Sequence, residues 1–301
     1  MSHGDIALSL ILLGLSAYLL FGGADFGAGL WHLIARRRAE KEVVEHAMGP
    51  LWEANHVWLI FVMVMTWTAF PPVFAEVMSA HWVPLSLAAL GIVARGSTFV
   101  FGKTAPDRGS YAWTFGLSSV LTPYCLGAVA ATIATGSTSW LSPSGVYGGI
   151  LTTALCAYLA AVYLIWDALR LGSRSLSLRF RGYALISGVV VGVLAIPGAV
   201  AYGVHSPLLL LSVIAGTVSL ALLVRRSYLA VRATGALAVV AVLWGAAEMA
   251  GLDLESTVAQ DAVLELVFAA LGVGAVILVP SMVWLYVLFQ RGPGDTAARR
   301  P

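Results

Sequence analysis

Apolar stretches long enough to cross a lipid bilayer follow one another along this chain, with only short polar breaks between them. A helix needs about 17–25 mostly apolar residues to span the hydrocarbon core. Nine segments approach or exceed that length: 6–34, 47–77, 82–101, 111–134, 146–169, 182–204, 207–224, 233–250 and 262–289. Backbone in hydrocarbon must satisfy its own hydrogen bonds, so such segments fold as helices. A membrane barrel would show short alternating segments instead. The composition, 59% hydrophobic and 11% charged, lies outside that of a soluble domain. The expected fold is therefore all-α: a polytopic integral membrane protein with nine transmembrane helices, forming a single transmembrane domain over residues 1–301. The second segment is longer than a span requires and contains Pro71-Pro72, where it should end, and the last should bend at Pro280.

The basic residues orient the chain. They fall at Arg36–Lys41, Lys103 and Arg108, Arg170–Arg181, Arg225–Arg232 and Arg291–Arg300, all on one side of a nine-span arrangement. That side should be cytoplasmic, with the N-terminus outside and the C-terminus inside. The opposite loops at 135–145 and 251–261 carry no Lys or Arg, and of 17 basic residues only Arg95 remains within a span. The first residues, Met1-Ser2-His3-Gly4-Asp5, lack a basic region, so the first segment is expected to be a retained span and not a cleaved signal. Cys125 and Cys156 both sit in apolar runs and read as small hydrophobic residues.

Two carboxylates lie inside the apolar zone. Asp25 stands in Gly22-Gly23-Ala24-Asp25-Phe26-Gly27-Ala28-Gly29-Leu30-Trp31, and Glu53 in Pro50-Leu51-Trp52-Glu53-Ala54-Asn55-His56-Val57-Trp58-Leu59. An ionisable group costs about 2.5–3.5 kcal/mol at a span centre on insertion scales, which makes both functional candidates. Asp25 precedes Arg36, at the membrane face, by a distance of roughly 16 Å along the helix, whereas Glu53 is shallow. Gly23, Gly27 and Gly29 form a small-residue face that lets another helix approach closely, so Asp25 should face protein.

These two segments, in this order on consecutive helices, resemble subunit II of the cytochrome bd-type quinol oxidases. Weaker matches are Phe70-Pro71, Arg95-Gly96, and Val279-Pro280-Ser281 before Leu285-Tyr286. The resemblance implies two four-helix bundles plus a peripheral helix in a bacterial inner (cytoplasmic) membrane. It implies a heterodimer with a haem-bearing subunit I, which would hold haem b and haem d and oxidise quinol while dioxygen is reduced to water. No cofactor is assigned to this chain itself, apart from a structural quinone that the resemblance places near Trp52. Interfacial anchoring is the other reading of Trp52. A further small single-span subunit is left open, and the remaining surroundings are lipid. At position 53 this chain has Glu where family members often carry Asp, and His56 departs from the acid or amide expected there.

Each site residue has two readings. Asp25 and Glu53 suit a proton path at stepped depths, or a structural pair bonded to backbone or a partner chain. His56, one turn from Glu53, could share its proton or be hydrogen-bonded within the bundle. Asn55 suits an interhelical hydrogen bond. Arg95 must meet a carboxylate, a lipid phosphate or a cofactor propionate, the favoured pairing being an ion pair with Asp25 or Glu53. His32 and His46 flank the basic inner turn. There is no phosphate loop, dinucleotide fingerprint, nucleophile elbow or Cys/His metal cluster, and nothing suggests nucleic acid. The expected function is that of a haem-free oxidase subunit contributing a cytoplasmic proton-uptake path, without a catalytic centre of its own. The alternatives are a proton-coupled secondary transporter, disfavoured by a weak internal repeat and the lack of paired broken helices, and a scaffold without proton traffic.

Overall fold

A computed structural model of the chain describes residues 2–47, 51–101, 108–198, 200, 206–251 and 256–290, with the side chains at 51–54, 99, 108, 110 and 285–290 left aside. The regular elements among these residues are all helices. Helix α1 (His3–Ala17) continues through a π-helical segment, Tyr18–Gly22, into α2 (Gly23–Ile34), and the three form one rod of 32 residues. Ser2 opens it with a capping box: its Oγ accepts from the Asp5 N–H, and its own N–H donates to the Asp5 carboxylate. The rod stops where Ala35 turns to ψ 124°.

The stretch that reads in sequence as a basic turn contains a further helix, α3 (Arg38–Ala47). Its inner face is Glu40, Val43 and Val44, at the i, i+3, i+4 spacing that one buried face requires. Helix α4 (Leu51–Ala69) ends where the second apolar segment meets its prolines. Phe70 leaves helical geometry, and Pro71 and Pro72 open α5 (Pro71–Ala80), whose first turn does not need their missing N–H groups. Helix α5 meets α6 (Trp82–Phe101) at 84°, with His81 buried at the bend. The chain continues through α7 (Arg108–Thr135), α8 (Pro143–Arg170), α9 (Arg174–Gly198), α10 (Pro207–Val224), α11 (Tyr228–Ala250) and α12 (Asp261–Gln290). Ser142 and Ser206 cap α8 and α10 ahead of a first-turn proline, and Gly251 closes α11 in the left-handed conformation.

Seven helices among the described residues are long and apolar enough to cross a membrane, or eight when the bent α5–α6 pair is counted as one broken span. Helix α4 contributes a shorter apolar stretch, Asn55–Ala69. The rod ending in α2 lies at the centre, packed on α7 and α8, and the core follows α8 through Ala157–Ile165. Helix α12 is peripheral, only 6% of its apolar window being covered.

Glycine decides how closely α2 and α8 approach. A Cβ on Gly27 would overlap the Cys156 backbone carbonyl, and one on Gly29 would overlap the Ser119 hydroxyl, whereas one on Gly23 would meet Cys156 Sγ at a tight 3.3 Å without overlapping it. Gly27→Ala must push two backbones apart, and overpacking of this kind costs about 1–3 kcal/mol. The expected result is a clear loss of assembled protein in detergent extracts. Gly192→Ala, where nothing lies within 4 Å of the added carbon, should leave the yield unchanged.

Candidate functional site

The π segment places Asp25 just beyond a local widening of the helix, a feature that recurs at functional sites. Asp25 is half-buried, and its Oδ2 accepts a hydrogen bond from Asn55 Nδ2 on α4. Asn55 is itself buried, and its Oδ1 has no hydrogen-bond partner among the described residues, nor has the buried Tyr18 hydroxyl. The ring of His56 packs at 6.1 Å from Tyr18 and 6.3 Å from Phe26. Glu53 and Trp52 belong to the first turn of α4, but their side chains lie outside the described residues. Pro50 lies outside the described residues.

Arg95 on α6 ties this region together. It is 2% exposed, and its guanidinium donates from Nη2 to the Asp25 backbone carbonyl at 2.7 Å and from Nε to Ser119 Oγ on α7 at 3.1 Å. The same group lies over the rings of Phe26 and Phe115, at 4.9 Å and 5.3 Å. Two aromatic faces, a hydroxyl and a carbonyl thus replace its water. No carboxylate among the described residues is within salt-bridge distance of it, and the Asp25 charge acts on it from further away. One carboxylate, one amide and one guanidinium therefore meet where α2, α4, α6 and α7 converge. Such a cluster can hold a proton at Asp25 while a fixed cation offsets the charge left when it departs.

A second polar cluster joins α3 to the bundle. Glu40 is 1% exposed, its Oε1 lies 2.9 Å from Arg179 Nε, and its Oε2 accepts from the Tyr183 hydroxyl at 3.3 Å. Tyr183 stacks flat on Trp31 at 4.5 Å, and Trp31 Nε1 donates to the Ala157 carbonyl at 2.8 Å. Removing the arginine leaves the buried Glu40 carboxylate without its cation. The Arg179 side chain is 36% exposed, so water screens the pair and the cost falls below the about 3–5 kcal/mol of a fully buried one. Arg179→Ala should release α3, seen as faster amide hydrogen exchange over residues 38–47 with the exchange of α8 unchanged.

Residues 4–289 match the family described as cytochrome bd terminal oxidase subunit II. The chain belongs to that family. Among relatives of this subunit II chain, cytochrome bd ubiquinol oxidase subunit 2 of Bacillus subtilis is 25% identical over 168 residues, covering 50% of each chain. Cytochrome bd-I ubiquinol oxidase subunit 2 of Escherichia coli is 23% identical over 170 residues, 50% of this chain and 45% of the relative. These matches span about half the length of the relatives concerned. A chain in the structure of bd oxidase from Geobacillus thermodenitrificans shares the fold, with a TM-score of 0.74 over 96% of this chain and 99% of that one, at 20% identity.

The chain is thus a multi-pass membrane protein of the bd oxidase subunit II family. Within it, Asp25, Asn55, His56 and Arg95 come together, while Gly27 and Gly29 set the approach of the neighbouring helices. Sequence reading missed Ser119 and Phe115 as partners of Arg95, since nothing in an apolar run says which helix will face it. Glu40 was missed as well, although Glu40, Val43, Val44 and Ala47 share one helical face. No group of three or more His, Cys, Asp or Glu among the described residues is arranged to hold a metal ion.

Proposed function

We propose that this chain is the haem-free subunit II of a quinol:dioxygen oxidoreductase complex and carries protons inward from the cytoplasmic side. The haems of the partner subunit I, of b and d type, would pass electrons from quinol to dioxygen. This chain's own residues would seat that partner and supply protons through Glu53 and then Asp25, with His56 beside the route. In this reading the chain crosses the membrane nine times, as two four-helix bundles with α12 peripheral, its N-terminus outside. The seven long apolar helices, the bent α5–α6 pair and α4 support that count. Trp52 would contact a structural quinone.

The observation that carries the reading is the Asp25 carboxylate, held by Asn55 within an apolar helix bundle and close to the buried Arg95 guanidinium. A carboxylate there is costly unless it is used. A purified tagged chain from its native membrane should bring down a haem-bearing subunit and show that subunit's visible spectrum. A colourless lone chain would count against the oxidase reading.

A further inference from the structure

Beyond the Asp25 cluster, toward the basic loops, stand two polar groups that take no part in it. His32 is in the last turn of α2, seven residues after Asp25. Seven residues make about two helical turns, so both side chains leave the same side of the helix roughly 10 Å apart. The His32 side chain is 8% exposed, and its Nε2 lies 3.2 Å from Glu45 Oε1 on α3. The Glu45 side chain is 56% exposed. The other ring nitrogen, Nδ1, is buried with no hydrogen-bond partner among the described residues. Phe115 of α7 packs edge-on against the His32 ring at 5.6 Å, and the same phenyl ring carries the Arg95 guanidinium. A single phenyl ring therefore separates His32 from the cluster of Arg95, Ser119 and Asp25. Lys41, one turn before Glu45 on α3, adds the other charge near the imidazole, and Phe115 adds none.

We propose that Glu45 and His32 form the outer end of the proton route to Asp25, a deepening that rests on the proton-path reading above. Glu45 takes a proton from cytoplasmic water and gives it to Nε2 of neutral His32, leaving a carboxylate beside an imidazolium. The imidazolium then releases its Nδ1 proton to a water molecule, which carries it past Phe115 to the Asp25 carboxylate. The neutral ring is left protonated at Nε2 and returns that proton to Nδ1 by ring rotation before the next transfer. One proton has moved inward, and Glu45 is ready to be protonated again. An imidazole with one nitrogen on a surface carboxylate and the other buried can take a proton on one side and give it up on the other.

The test uses the assembled oxidase, with the haem spectrum reporting assembly and quinol-driven oxygen consumption measured across pH. Positioned proton-transfer groups contribute about 10²–10⁴ in rate; at this outer position, where bulk water partly substitutes, about a tenfold loss is expected for Glu45→Gln and about a hundredfold for His32→Gln. Both losses should deepen at alkaline pH, and Glu45→Asp should recover most of the activity. A merely structural pair would change yield but not the pH profile or the rescue. Glu45 is more than half exposed, so Glu45→Gln should assemble even if His32→Gln does not, and proton uptake in that variant decides the matter. Parental uptake in Glu45→Gln, with Asp25→Asn still impaired, overturns the role of this pair and leaves the proton-path reading standing. Parental uptake in both variants removes that reading and this inference together.

Discussion

Arg95→Ala is expected to abolish most accumulation of the assembled protein. The side chain is almost fully buried in a membrane span and joins three helices: α6 from which it comes, α2 through the Asp25 carbonyl and α7 through Ser119. Hydrogen bonds from a charged donor contribute about 1.5–3 kcal/mol each, and truncation also leaves a void between Phe26 and Phe115. Together with the loss of the cation that attracts the Asp25 carboxylate, a cost of about 3–5 kcal/mol is in keeping with breaking a buried charged group's contacts. Arg95→Lys keeps the charge but not the planar fork, so it cannot reach both acceptors while lying flat between two rings. It should recover part of the yield. Immunoblots of membranes and thermal unfolding in detergent would measure both. Full assembly of the alanine variant would mean that Phe26, Phe115 and the glycine contacts hold the bundle without the guanidinium.

Period and composition show the membrane class and the long apolar helices in the sequence, because lipid permits few alternatives. The end of the second apolar segment is equally plain, since Pro71-Pro72 forces it. The path of the chain after those prolines was not readable: the short helix α5 turns through 84° into α6 instead of extending the earlier span. That choice depends on the burial of Phe70 and His81 against distant helices. The π segment at 18–22 was likewise hidden, because a one-residue register change leaves no trace in an apolar run.

At the candidate site, the sequence singled out Asp25, Asn55 and Arg95 and put Asp25 deep in the first span. It could not say which atoms meet. Arg95 bonds the backbone of Asp25 and not its carboxylate, and the carboxylate is taken by Asn55. Depth follows from one-dimensional spacing, whereas partner choice follows from helix rotation. The small-residue face was legible as a motif, but the sequence did not rank its members. Gly27 and Gly29 admit no Cβ, and Gly23 admits one only if Cys156 Sγ gives by a few tenths of an ångström.

Asp25→Asn should retain assembly and the haem spectrum while quinol-driven oxygen consumption falls by about 10²-fold or more, the loss expected when a positioned proton-transfer group is removed. The amide keeps the shape of the carboxylate and can still bond Asn55 after rotation, so the bundle should tolerate it. It cannot release and regain a proton. Glu53→Gln should behave similarly, with Glu53→Asp active because the carboxylate remains. Both deficits should grow with pH, since scarcer protons make each delivery slower. The decisive measurement is time-resolved proton uptake after oxygen binds to the fully reduced complex carrying Asp25→Asn. Slowed uptake is the expected result, with electron transfer among the haems unchanged beforehand. Uptake at the parental rate across the pH range would contradict the proton-path role and make Asp25 a structural carboxylate.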